Sequence, residues 1–361
     1  MTRSKGTAGL SRLAINGFRH LSTTTVEPSP RLNVIYGHNA AGKTSVLEAI
    51  HFLARARSFL TTRTARLVTR SGDSVTVHGR INTADAVHGL GVQYQDGQTR
   101  VRLNGVDVQT LSESAWLLPI QVINTEAQRL LTDGPPVRRA FINWGVFHVE
   151  PTYRDHWRRY QRALRQRNSA LRSGDARLAA AWEPEMAAAA EAVEASRHGF
   201  LATLMPRAVA LASQWLGEDR LDWRYRRGWT RDTPLAEVFA AARPREMAQG
   251  FSLYGPQRAD LRFLVDGVEA SVCLSRGQQK LLVAGLRLAL AEQWGVAGEQ
   301  RPLVLVDDLP AELDAEHRQQ LLTQLQATGA QLFVTTIERE QVPAMADAEW
   351  FHVEQGMIAP V

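Results

Sequence analysis

The sequence predicts an α/β fold: a mixed sheet flanked by helices, with a mostly helical second lobe inserted in mid-chain and no long coiled coil. Three observations carry this. A short apolar segment, Leu32–Tyr36, runs straight into the Gly-rich stretch "GHNAAGKT" and then into a helical repeat. Between about Arg138 and Leu216 the chain turns rich in Ala, Leu, Arg and Glu with helical periodicity. Beyond Phe251 strand and helix signals return and include the run "PLVLVDDL", which reads as a strand covered on both faces. On this reading residues 1–124 and 251–361 form the α/β lobe and residues 125–250 the helical lobe.

The elements follow in order. Arg12–Phe18 and Leu32–Tyr36 read as strands around the polar "STTTVEPSPR". Thr44–Ala54 sets Val46, Leu47, Ile50 and Leu53 at helical spacing. Ser74–Ile81, Gly89–Gln95 and Thr99–Leu103 alternate or bunch like strands, with the turn signals "QDGQ" and "LNGVD" between and after them. In the middle of the chain Pro151, Pro184 and Pro206 are expected to interrupt helices. The resulting pieces are too short for a coiled-coil arm. A helix over Gly277–Trp294, a buried strand Leu303–Val306, a helix Ala315–Ala327 and a strand from Gln331 to Thr335 complete the α/β lobe.

Composition narrows the function classes. A hydrophobic fraction of 44% in 361 residues suits one large globular domain or two smaller ones. Cys273 is the only cysteine, which excludes an internal disulfide and a thiolate-cluster metal site. Neither H-E-x-x-H nor G-x-S-x-G occurs. No apolar run approaches the ~20 residues of a membrane span, and "MTRSKGTAGLSRL" lacks the apolar core of an export signal. No membrane partner and a cytoplasmic location are therefore expected. The net charge of +5 permits an anionic partner. Lys5, Lys43 and Lys280 are the only lysines. A guanine-reading N-K-x-D motif is thus impossible, which removes the GTPase-switch reading, and Lys43 stands out as a lysine retained in an arginine-rich chain.

Three motifs carry chemistry. Gly37, His38, Asn39, Ala40, Ala41, Gly42, Lys43 and Thr44 spell G-x-x-x-x-G-K-T. Backbone N–H groups of such a loop and the following helix N-terminus cradle phosphates, the lysine reaches the β- and γ-phosphates, and the threonine hydroxyl serves Mg²⁺. ATP and Mg²⁺ are the expected cofactors. Asp307 and Asp308 end the strand Leu303–Val306; Asp307 is expected to hold Mg²⁺, directly or through water, and Asp308 to orient or deprotonate the attacking water. In "LSRGQQK", Ser275 is a natural N-cap and Gly277 lets backbone approach a ligand closely. This makes a second phosphate-binding helix N-terminus. One active site does not need two, whereas an assembly in which each subunit closes over the other's phosphates does.

These three elements in this order are similar to those of ABC-type ATPases, and the chain resembles the RecF family of bacterial recombination mediators nearly end to end. The resemblance rests on "FRH" at Phe18–His20, the phosphate loop and its helix, "DGPPVRRAFINWGVFH", "QRNSALR", "YGPQRADL", "LSRGQQKLL" and "LVDDLPAELD". It implies an ABC-type P-loop ATPase head related to SMC proteins, with slow DNA-stimulated ATP hydrolysis and ATP-dependent dimerisation around DNA. It also implies a role in recombinational DNA repair and replication restart, bringing RecR, and through it RecO and RecA, to gapped or junction DNA. Carried across, Gly37–Thr44 bind phosphate and Mg²⁺, and Asp307 and Asp308 are the acidic pair. Ser275, Gly277 and Gln278 form the signature element acting in trans, and Ala311–Asp314 form a loop across the dimer. The chain departs from the family pattern at Ala40, where the family usually has glycine. It also lacks both histidines of the expected "HGPHRDDL" and the proline before Glu126, and it carries Asn143 in place of a usual Asp.

For DNA contacts two arginine stripes are candidates, since arginines in rows can neutralise phosphates without reading bases. One comprises Arg55, Arg57, Arg63, Arg66 and Arg70, of which Arg57 and Arg63 could serve the nucleotide or the dimer interface instead. The other comprises Arg158, Arg162 and Arg165, opposite an apolar face of Trp157, Tyr160, Leu164 and Leu171. The competing reading is the nucleotide-binding subunit of a transporter, against which stand the helical lobe and Asp308 where transporters usually carry Glu. An ATP-dead scaffold is disfavoured by intact Lys43, Thr44, Asp307 and Asp308.

Overall fold

The computed structural model describes residues 8–297, 300–309, 313–342 and 347–361. In chain order its strands are β1 (Gly9–Asn16), β2 (Thr24–Val26), β3 (Leu32–Tyr36), β4 (Ser74–Asn82), β5 (Val87–Gln95), β6 (Gln98–Leu103), β7 (Val106–Asp107), β8 (Ile120–Ile123), β9 (Leu221–Arg226), β10 (Asp260–Val265), β11 (Val268–Glu269), β12 (Leu303–Val306), β13 (Gln331–Thr336), β14 (Ala348–Glu354) and β15 (Met357–Pro360). The helices are α1 (Lys43–Arg55), α2 (Leu111–Ala115), α3 (Arg129–Thr132), α4 (Pro135–Val149), α5 (Tyr153–Arg172), α6 (Ala176–Leu216), α7 (Leu235–Gln249), α8 (Ala270–Cys273), α9 (Arg276–Ala297) and α10 (Ala315–Ala327). The chain divides into two units, one of residues 1–127 with Arg287–Val361, the other of Gln128–Leu286.

The first unit holds two six-stranded sheets. One, in the order β2-β1-β4-β5-β6-β7, is antiparallel throughout. The other, β15-β14-β3-β13-β12-β8, is parallel except where β15 pairs with β14. Its interior strand β12, between β13 and β8, is buried at every position, as the unbroken apolar run requires. The carboxyl ends of the parallel strands are in register: Val306 lies opposite Val334 and Ile123, and Thr336 opposite Tyr36. The segments after β3, β12 and β13 therefore leave the sheet together, where ligands of open α/β sheets gather. Gln331 ties the two sheets. It is fully buried, and its side-chain amide accepts from Leu10 N–H and donates to Leu10 O, each at 2.8 Å.

In the second unit α4, α5, α6 and α7 pack with the three-stranded sheet β11-β10-β9. Pro184 and Pro206 do not break the helix as the sequence suggests: α6 runs through both for 41 residues. Each proline removes one backbone hydrogen bond and costs about 3 kcal/mol in isolation. The buried row Met186, Ala190, Val193, Phe200, Leu204 and Leu211 holds the helix continuous against that cost. The domain division also shifts. Residues 251–286 group with the second unit, because β10 pairs with β9 over six residues, from Asp260 opposite Arg226 to Val265 opposite Leu221. Arg138 on α4 adds a 2.8 Å hydrogen bond to the Asp260 carboxylate.

A buried ion network fixes the helices of this unit. Arg167, with no exposed surface, donates to Ser252 Oγ at 2.7 Å and to Glu183 Oε1 at 2.9 Å, and meets Glu246 Oε2 at 2.6 Å. Arg243 forks onto Glu183 from the other side. Burial pushes the Glu183 carboxyl up, but the two arginines outweigh it and hold it below the usual range. Arg167→Met leaves the buried Glu246 carboxylate without its cation and Glu183 with Arg243 alone, so urea unfolding is expected to show a loss of about 3–5 kcal/mol.

Candidate nucleotide site

β3 delivers the chain into the loop at Gly37, whose φ of 149° and surroundings exclude a side chain: a Cβ there would lie 2.2 Å from Val353 O. The loop ends at Gly42, the N-cap of α1, which makes no side-chain capping bond. The first N–H groups of α1 are thus left for an anion. Lys43 Nζ donates to the carbonyls of Gly37 at 2.7 Å and His38 at 2.9 Å, folding its ammonium back over the loop. Burial lowers the Lys43 pKa, while the Asp308 and Asp307 carboxylates oppose that shift. Ala40 occupies the left-handed region at φ 63° and is exposed, which explains why glycine suits this position and gives the alanine a strain of about 1 kcal/mol.

Asp307 is the junction of the site. Its Oδ1 accepts from Thr44 Oγ1 at 2.9 Å and from Thr335 Oγ1 at 2.8 Å, while its backbone N–H donates to Ile123 O at 2.9 Å. Asp308 N–H in turn donates to Thr335 Oγ1 at 2.7 Å, and Asp308 sits in the left-handed region at φ 54°. Residues from β3–α1, β12 and β13 therefore converge on one carboxylate. Its pKa is raised, first by burial and also by Asp308, against the two hydroxyl donors and Lys43. The Thr44 hydroxyl and Asp307 carboxylate are hard oxygen donors in contact, the donor set Mg²⁺ takes. No cluster of three or more His, Cys, Asp or Glu suited to a metal occurs among the described residues. A magnesium ion here would take its other ligands from phosphate and water.

The helix carrying Lys43 and Thr44 is anchored from behind. Glu48 of α1 is fully buried and receives the Arg19 guanidinium through both oxygens, along with the Ser58 hydroxyl. This gives the "FRH" segment a structural task. His51 is buried one turn on, with Nδ1 at 2.8 Å from Arg57 O; burial and the nearby Arg55 charge push its pKa down to about 3.

The remaining candidates lie elsewhere. Ser275 and Gln278, in the second unit, cap α9 reciprocally: Ser275 Oγ accepts from Gln278 N–H at 3.3 Å and Gln278 Oε1 from Ser275 N–H at 3.0 Å, a capping box. Gly277 is exposed, and a Cβ there would meet nothing within 4 Å, so no packing within the described chain requires glycine. Of Ala311–Asp314, Ala311 and Glu312 lie outside the described residues; Asp314 caps α10 through His317 N–H at 3.0 Å. Arg57, Arg63, Arg66 and Arg70 are exposed, whereas Arg55 is half-buried, with its pKa depressed by burial and by the Arg57 and Arg287 charges. Arg158, Arg162 and Arg165 are exposed on α5, opposite buried Tyr160 and Leu171. Sequence reading missed Thr335 and Glu48; a hydroxyl closing β13 and an acid inside an apolar helix face were the available signals. Asn143, at the position where Asp was expected, accepts from Arg197 at 2.7 Å and Tyr153 at 2.7 Å.

Two predictions follow from this geometry. Ala40→Gly relieves the left-handed strain and is expected to stabilise the nucleotide-free chain by roughly 0.5–1 kcal/mol in urea unfolding. Because the folded Asp307 holds its proton more tightly than the unfolded chain, its contribution to stability is largest below the ordinary carboxylate value of 3.8. That contribution is lost as pH rises through the raised value. Asp307→Asn is therefore expected to lose less stability than the parent between mildly acidic and neutral pH, measured by unfolding titrations without nucleotide.

Comparison with known proteins agrees over the whole length. A family model described as the RecF/RecN/SMC N terminal domain matches residues 9–358. The DNA replication and repair protein RecF of Stutzerimonas stutzeri is 42% identical over 357 residues, 97% of this chain and 96% of that protein. Its counterpart in Pseudomonas fluorescens is 41% identical over 97% of each chain. Among solved structures, the recombination mediator protein RecF with ATP superposes with a TM-score of 0.87 at 22% identity, covering both chains fully. An Smc head bound to the C-winged helix domain of ScpA gives 0.59 at 14% identity, over 98% of this chain and 97% of that one.

Proposed function

The chain belongs to the RecF family of DNA replication and repair proteins, and on that premise we propose that it is an ATP-gated DNA clamp whose site is completed only by a second copy. The observation that carries this reading is the 2.9 Å contact between Thr44 and Asp307. It joins the phosphate loop to the acidic strand end in the arrangement that ATP and Mg²⁺ chemistry needs.

In this reading the loop N–H groups and the N-terminus of α1 receive the β- and γ-phosphates. Lys43 exchanges its two loop carbonyls for phosphate oxygens. Mg²⁺ bound here would supply charge neutralisation for the phosphates. Thr44 and Asp307 hold their oxygens toward it, with Thr335 fixing the Asp307 carboxylate. Asp308 positions the attacking water and takes its proton. Ser275, Gly277 and Gln278 of a partner copy close over the γ-phosphate; the open space around Gly277 supports this, because the requirement for glycine then comes from the approaching partner. Dimerisation would couple ATP to DNA, with Arg57, Arg63 and Arg66 on one unit and Arg158, Arg162 and Arg165 on the other as phosphate contacts.

Gapped or junction DNA is the proposed substrate, and weak, DNA-stimulated hydrolysis the proposed release step. Recruitment of RecR, and through it RecO and RecA, is the proposed outcome, in the cytoplasm. No described helix is long and apolar enough to cross a membrane. Full-length similarity to RecF proteins leaves the transporter-subunit reading without support.

The test is DNA binding with and without ATP at two salt concentrations, beside gel filtration. The parent is expected to dimerise and bind DNA tightly only with ATP, with affinity falling steeply as salt rises. Lys43→Ala is expected to stay monomeric. Asp308→Asn is expected to dimerise while hydrolysing at least ~10²-fold more slowly. A dimer insensitive to nucleotide, or equal DNA affinity in both nucleotide states, would remove the clamp.

A further inference from the structure

The second unit contains a cleft that none of the assignments above uses. It encloses about 610 Å³ between α6 and the segment leaving β9, and is lined by Glu191, Glu194, His198, Arg227, Trp229 and Arg231, with Tyr225 and Gly199 beside them. That volume lies in the range of small-ligand sites. The two walls differ in chemistry. On α6, Glu191, Glu194 or Ala195, and His198 or Gly199 fall on successive turns of one face. Tyr225 Oη donates to Glu194 Oε2 at 2.8 Å, and burial raises the Glu194 pKa. On the opposite wall the Arg227 guanidinium stacks 4.5 Å over the Trp229 ring. Arg227 Nε is shielded from solvent and has no hydrogen-bond partner among the described residues.

Outside the cleft the same segment, "WRYRRGWTR" from Trp223 to Arg231, interleaves aromatics with arginines. β9 is an edge strand, and its alternation leaves Arg224 and Arg226 exposed while Leu221, Trp223 and Tyr225 face inward. Neither exposed guanidinium has an ion-pair or hydrogen-bond partner among the described residues, although both backbones pair with β10. A ligand suited to both regions needs a planar body, N–H donors at one end and an anion at the other. Phosphate alone would be repelled by Glu191 and Glu194, and an apolar ligand would leave Arg227 Nε without an acceptor.

We propose that this cleft receives the base of an unpaired nucleotide, with its N–H edge toward Glu194 and Glu191 and its phosphate on Arg231 at the rim, while Arg224 and Arg226, on the other side of β9, are left for phosphates further along the strand. Stacking on aromatic and guanidinium planes together with a basic strand edge is the recognition mode of single-stranded nucleic acid, and a carboxylate accepts from base amino groups. This rests on the DNA-binding reading and adds to it a place for the unpaired strand, separate from the duplex contacts proposed above.

Gly199 supplies the test. It lies within α6, is exposed, and a Cβ there meets nothing within 4 Å. Gly199→Leu therefore intrudes into the cleft without a clash and strengthens the helix. Full-length protein is titrated by fluorescence anisotropy with a short oligodeoxycytidylate, with an abasic oligomer of equal length and charge, and with duplex DNA plus ATP. The parent is expected to prefer the intact strand over the abasic one by about 10-fold or more. Gly199→Leu is expected to abolish that preference while leaving ATP-dependent duplex binding unchanged and the melting temperature no lower than the parent's. Arg231→Ala, at the exposed rim, is expected to weaken both oligomers and serves if the leucine variant fails to fold. Equal affinity for intact and abasic strands, or an unchanged preference in Gly199→Leu, would overturn the proposal. Loss of ATP-dependent duplex binding in the parent, with the base preference intact, would instead sink the clamp reading and leave the cleft assignment standing.

Discussion

The geometry of the first unit depends on one buried carboxylate. Asp307 Oδ1 receives hydroxyls from Thr44 and Thr335 within 2.9 Å, and those three side chains leave three different parts of the parallel sheet and its loop. Without nucleotide the arrangement is an uneasy one. Burial disfavours the ionised carboxylate, two neutral donors offset that only in part, and Asp308 adds a second negative charge nearby. A divalent cation would remove the conflict. The site is therefore less comfortable without its proposed ligand than with it, as expected of groups held by a scaffold for chemistry rather than for stability.

The surrounding structure is built to hold that conflict in place. Strand register aligns the ends of β3, β12 and β13. Gln331 fixes the parallel sheet to the antiparallel one, and Glu48 locks α1 through Arg19 and Ser58. Two residues next to the chemistry, Ala40 and Asp308, adopt left-handed backbone that side chains disfavour. Lys43 rests on two loop carbonyls, a position from which a phosphate can draw it by offering full negative charge in place of dipoles.

The second unit uses the same physics for another end. Arg167 and Arg197, both without exposed surface, each satisfy several partners at once. Arg197 reaches Pro256 O at 2.9 Å and Asn143 Oδ1 at 2.7 Å, so the "YGPQRADL" segment is bracketed from α6. Gln257 takes the Tyr160 hydroxyl and donates to Tyr254 O at 2.8 Å. Asn143 and Gln257, both departures from the family pattern, are thus committed to internal hydrogen bonds. Asn143 serves as the acceptor for the Arg197 guanidinium and the Tyr153 hydroxyl, and Gln257 for the Tyr160 hydroxyl.

By itself the sequence determined three of the parallel-sheet strands, β3, β12 and β13, the loop and helix that follow β3, and the acidic end of β12, while β8 and β14 were not read from it. Leu32–Tyr36, Leu303–Val306 and Ala315–Ala327 are legible to the residue, because local periodicity and apolar runs reflect burial directly. Ser275 as a cap was readable for the same reason, since capping is a local hydrogen bond. Only the tertiary structure decided what depends on distant partners. Residues 251–286 belong with the second unit because β10 finds β9, a pairing no local pattern encodes. α6 continues through Pro184 and Pro206 because its buried face outweighs two missing hydrogen bonds. Thr335 enters the site because strand register, not spacing, brings β13 beside β12. Local physics is written along the chain; the meeting of Thr44, Asp307 and Thr335 is set by which strands lie side by side.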